Sequence, residues 1–155
     1  MSYCCKSIQS LSIVLLALAT LALLPTSVSA GASNQNAILT AVNTIRAQYR
    51  LPLLQLHPSL QQAASEQAQL MADTGKMAHK VRRGEGFKAR LKRVGYRGLA
   101  AENIAHGQRS LGRVLAGWMK SPGHRRNMLH PRMRYFGLAA AKNGGRPYWA
   151  MVLGG

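Results

Sequence analysis

Acidic residues, aromatics and usable cysteines are what this sequence lacks. Four Asp+Glu stand against 21 Lys+Arg in 155 residues, for a formal charge of +17. Cys4 and Cys5 are the only cysteines, and they are adjacent. That excludes a disulfide framework or a cysteine zinc site. Aromatics make up 6%, and the two most basic stretches contain only Phe87 and Tyr96. A stacking platform for single-stranded nucleic acid is not expected, so nucleic acid would be held only through nonspecific charge. Neither a Gly-x-Ser-x-Gly elbow nor a His-Glu-x-x-His motif occurs. Hydrophobic residues still reach 47%, too many for a disordered basic tail. The length suits one domain.

Lys6 is the only charge before Arg46, and it precedes an apolar run of 14 residues, 11–24, ended by Pro25. Small residues follow at Val28-Ser29-Ala30, with Ala30-Gly31-Ala32 as a second choice. This is the order of a secretory signal. The run is shorter than the ~20 residues that cross a bilayer, so cleavage after Ala30 is expected rather than anchoring. The chain then divides into a signal peptide, residues 1–30, and a domain, residues 31–155. Loss of Lys6 lowers the formal charge to +16 and leaves neither a cysteine nor a membrane-spanning run. A secreted or periplasmic monomer is expected.

Within the domain, Ile38, Leu39, Val42 and Ile45 repeat at helical spacing over 36–50, with Ser33 or Asn34 as a cap and Leu51-Pro52 as the stop. A second helix should start near Pro58-Ser59 and end at Gly75, carrying Leu60, Ala64, Ala68 and Met71 on one stripe. A short third helix is predicted over 86–94, with Phe87, Leu91 and Val94 inward. Ser110 should cap a fourth, whose stripe includes Val114, Leu115 and Trp118. Ser121-Pro122-Gly123 ends it, with one further helical turn over 127–129. Two apolar runs, 135–141 and 148–153, flank Asn143-Gly144-Gly145 and read as a hairpin. Helices followed by a terminal hairpin predict an α+β fold.

The ordered motifs carry a resemblance. They include Asn43-Thr44-Ile45-Arg46, Met77-Ala78-His79, Arg90-Leu91-x-x-x-Gly95-Tyr96 and Ala101-Glu102-Asn103-Ile104-Ala105. Trp118-Met119-x-Ser121-Pro122-Gly123-His124-Arg125-x-Asn127-Met128-Leu129, Gly137-x-Ala139 and Tyr148-Trp149 follow. The chain resembles the bacterial, SCP-like extracellular branch of the CAP superfamily (cysteine-rich secretory proteins, antigen 5, pathogenesis-related 1). The resemblance implies an α-β-α sandwich with a small antiparallel sheet between helical layers, and a cleft lined by His79, Glu102 and His124. Many eukaryotic members place a second glutamate soon after the tryptophan matched by Trp118. Here Met119, Lys120 and Ser121 follow instead.

Two histidines and a glutamate can ligate zinc and leave a position for water, or form a metal-free hydrogen-bonded cluster. Without the second glutamate the set predicts at most weak zinc binding, and no cofactor is required. Around it, residues 76–97 hold nine basic residues against Glu85, and residues 125–134 hold four more. Arg82, Arg83, Lys88, Lys92, Arg125 and Arg126 are expected to form a basic rim that attracts a lipid-like or anionic ligand, surface or polymer. The favoured reading is a binding module, with a metal-assisted zinc hydrolase in the same cleft as the alternative; whether it is an enzyme stays open. His57, His106 and His130 are expected in surface or capping roles, and Trp118 and Trp149 in the core.

Overall fold

The computed structural model describes Met1 and residues 29–155, with side-chain surroundings from Asn34 onward. Residues 2–28, most of the predicted signal peptide, lie outside the described residues. Helix α1 spans Ser29–Gln48, so Ser33 and Asn34 lie within it rather than capping it. Its apolar stripe sets Ile38 and Val42 into the core. Helix α2, Pro58–Thr74, begins with proline in its first turn, where the missing N–H costs nothing, and ends on Gly75 at φ 66°. Helix α3 spans Phe87–Arg93. Helix α4, Leu111–Lys120, is capped by Ser110, whose hydroxyl accepts from the Arg113 amide. Helix α5, Pro122–Met128, starts directly after Ser121, so the proline that ends one helix opens the next.

Four strands form one sheet in the order β1-β3-β4-β2. Strands β3, Tyr135–Asn143, and β4, Arg146–Gly154, make the predicted hairpin. Asn143 pairs with Arg146, and Gly144 and Gly145 between them both take positive φ, the demand of a tight two-residue turn. Strand β2, Ala100–His106, adds antiparallel to β4. The sheet is not purely antiparallel as expected. A two-residue strand β1, Gln55–Leu56, pairs parallel with β3 at the other edge.

Both faces of the sheet are covered, which gives the expected α-β-α layering. Phe136, Leu138, Met151 and Leu153 point to α1 and α4, packing with Val42, Val114 and Trp118. The alternate positions Ala150 and Val152 point to α2. Burial on two faces explains why β4 reads as a continuous apolar run rather than an alternating one. Where β3 meets α2 there is no room for a side chain. A Cβ on Gly137 would lie 2.2 Å from the Gln61 backbone nitrogen.

Candidate functional site

Strand β2 is the edge of the sheet, and its alternation divides the site between layers. Glu102 faces α3, and Asn103 faces α5. The Glu102 carboxylate is buried, and Arg90 of α3 bridges it, with Nη2 at 2.8 Å from one oxygen and 2.5 Å from the other. Arg90 is itself fully buried and is steadied through Nη1 by the Glu85 carbonyl at 3.0 Å. His79, on the loop after α2, brings Nδ1 to 3.2 Å from Glu102 Oε1 while its side chain stays 55% exposed. In the neutral tautomer that donates Nδ1–H to the carboxylate, Nε2 keeps its lone pair.

On the other side of the strand, Asn103 Nδ2 donates to the His124 carbonyl at 3.0 Å, and Asn127 Nδ2 donates to Asn103 Oδ1 at 2.8 Å. These bonds tie α5 to the strand and fix where His124 stands. Burial lowers the His124 pKa below its ordinary 6.5, and the nearby His79 lowers it further. Neutral imidazole is therefore its resting form. His124 lines a groove of about 300 Å3 with Met77, Ile104, Gly117 and Trp118. The Trp118 Nε1–H is satisfied by the Ile104 carbonyl at 3.1 Å, so the indole is a fixed wall.

His79, Glu102 and His124 thus gather at one edge of the sheet, but not as a metal cage. Both Glu102 oxygens are engaged by Arg90, and among the described residues no group of three His, Cys, Asp or Glu could hold a metal ion. Glu102 as arranged does not fit the role of a zinc ligand, because releasing it would strand a buried arginine.

Three features escaped the sequence reading. Strand β2 carries no local strand signal, since Glu102 and Asn103 interrupt its apolar pattern. Arg90 is one of the nine basic residues of 76–97, yet it shares the 87-91-94 stripe of α3 and points inward. His106 is not a surface residue. It lines the His124 groove, stacks on Tyr148 at 4.2 Å between ring centroids, and leaves Nε2 buried without a partner. His57 stands at the cap position of α2 but makes no side-chain cap bond and leaves Nδ1 buried without a partner, and His130 accepts from the Arg132 amide. Trp118 is buried as expected; Trp149 is half-buried, its Nε1–H bonded to the Gln108 carbonyl. Arg82, Arg83, Lys88, Lys92, Arg125 and Arg126 are all exposed; Arg82 lines a groove between α2 and α3, and Arg125 and Arg126 line one between α4 and α5.

A three-layer sandwich with His79, Glu102 and His124 at an edge strand defines a class, and sequence comparison gives the same answer. The profile of the cysteine-rich secretory protein (CAP) family matches residues 39–153, and the chain belongs to that family. It is 32% identical over 123 residues to the uncharacterized protein YkwD of Bacillus subtilis, covering 77% of this chain and 46% of the relative. The chain therefore spans about half the length of that relative. Among solved structures, an extracellular SCP-domain protein from Bacillus anthracis aligns with TM-score 0.66 and 29% identity, over 79% of this chain and 40% of the other. An outer surface protein from Borrelia burgdorferi shares the fold at TM-score 0.70 and 20% identity, over 79% of this chain and 92% of the other.

Proposed function

We propose that this CAP domain acts outside the cytoplasm as a binding module. It takes a lipid-like anionic ligand or surface at the His79–His124 edge through the surrounding basic rim. One observation carries the reading: the single carboxylate of the cleft is neutralised from below by Arg90, while the rim cations stand in solvent. Arg82, Arg83, Lys88 and Lys92 have no carboxylate within ion-pair distance among the described residues. With 20 basic residues against four acids in residues 31–155, the surroundings keep a net positive potential. The leader-like residues 1–30 and the extracellular or surface relatives support export. The hydrolase alternative gains no support from a glutamate committed to arginine.

Vesicle sedimentation tests this. Phosphatidylglycerol vesicles should bind the exported protein and phosphatidylcholine vesicles should not, with affinity falling steeply as salt rises. Each cation near the surface contributes about 1 kcal/mol, so changing Arg82, Arg83, Lys88 and Lys92 to Gln should weaken binding by more than about tenfold. His79→Ala should leave it mostly intact. Binding indifferent to salt, or lost only with His79→Ala, would refute the reading. A zinc-dependent rise in melting temperature would favour the hydrolase instead.

A further inference from the structure

The corner between α4 and α5 holds a second groove, of about 570 Å3, that does not include His79, Glu102 or His124. Its apolar part comes from Met119, Leu129 and Pro131, and its charged edge from Lys120 and Arg126, with the His130 ring beside them. Arg125 completes that edge, held over the Tyr49 ring at 5.4 Å with Nη2 donating to the tyrosine oxygen at 3.3 Å. No carboxylate lines it. All four acids of the chain lie elsewhere: Glu102 beneath His79, and Glu66, Asp73 and Glu85 around a separate groove between α2 and α3.

The wall of this groove is braced from inside. Arg46 of α1 is fully buried and has no carboxylate partner; its guanidinium donates to the carbonyls of Pro52, Met128, His130 and Met133. A buried cation satisfied only by carbonyls fixes the 128–133 segment, and with it Leu129, His130 and Pro131. The Arg132 amide donates to His130 Nδ1, which leaves the ring proton on Nε2 as a donor. A preorganised concavity with apolar side chains between unpaired cations is a built receptor.

We propose that this groove binds an acidic peptide segment with apolar residues between its carboxylates. Its shape selects that occupant. The groove is concave, so a flat bilayer does not fill it, and it is open to solvent, so it gives an acyl chain no enclosed channel. An extended peptide suits both conditions. Arginine forks match planar carboxylates, and methionine and leucine accept apolar side chains without demanding one shape. The groove shares Arg125 and Arg126 with the basic rim, but it does not rest on the vesicle binding proposed above, whose test uses Arg82, Arg83, Lys88 and Lys92.

Fluorescence anisotropy with dye-labelled octapeptides on the exported protein tests the proposal. An alternating Glu-Leu peptide should bind at least about tenfold tighter than an alternating Glu-Gln peptide of equal charge, a difference of about 1.4 kcal/mol. The Lys120→Glu, Arg126→Glu variant should lose about tenfold or more. The charge-matched Arg83→Glu, Lys92→Glu variant should lose no more than about threefold, since both alter the net charge equally. Arg126→Gln alone carries the same comparison if the double variant fails to fold by circular dichroism. Equal losses in the two charge-matched variants would overturn the proposal, because they would make binding a property of net charge. So would equal affinity for the Leu and Gln peptides. Phosphatidylglycerol vesicles that depend on Arg126 while the peptides do not bind would identify a lipid occupant and overturn it as well.

Discussion

Arg90 and Glu102 form the one ion pair among the described residues with both side chains withdrawn from solvent, exposed by 0% and 1%. The pair joins α3 to the edge strand and sets the carboxylate that His79 meets. Its worth lies in completeness, because either partner alone is a buried unpaired charge.

Arg90→Met should therefore cost about 3–5 kcal/mol in urea unfolding. The double variant Arg90→Met, Glu102→Leu should recover a substantial part of that loss, since apolar partners leave no charge stranded. A single variant as stable as the parent would show that the pair is not holding the two elements.

His124 makes stability depend on pH in a direction that follows from its lowered pKa. Below about 6.5 the unfolded chain binds the proton more readily than the folded one, so stability falls as pH drops and levels off below the folded pKa. His124→Gln should flatten that slope between about pH 7 and 5. Urea midpoints across this range, compared between the two proteins, give the answer; an unchanged slope would count against a depressed His124.

Replacing Arg46 removes the donor that four carbonyls share. Arg46→Met should cost at least about 2 kcal/mol, given about 1–3 kcal/mol for each buried group left unsatisfied. Amide exchange should quicken over residues 128–133 more than in β4. Uniform quickening would mean that Arg46 stabilises the whole fold without bracing that segment.

Gly137 and Gly117 offer a paired test of packing. Gly137→Ala drives a methyl into the α2 backbone, which has no side chain to move aside, and should cost more than about 2 kcal/mol. Gly117, in α4, meets nothing within 4 Å. Gly117→Ala should instead raise stability by up to about 1 kcal/mol through helix propensity. Thermal melts of the two variants should move in opposite directions.

The sequence by itself determined α2, α3, α4 and the hairpin, because their signals are local. Proline at a first turn, glycine after a last one, the Ser110 cap and the Gly144-Gly145 turn each act within a few residues. The family motifs likewise single out His79, Glu102 and His124 together, though they lie far apart along the chain. What local patterns could not carry was the state of the polar residues. Glu102 and Asn103 look like loop residues until Arg90 and Asn127, distant in sequence, satisfy them and let β2 join the sheet. Arg46 and Arg90 look like surface charge until their partners arrive from across the fold. The placement of a charged side chain is decided by what neutralises it, and here the tertiary structure alone brings those groups together.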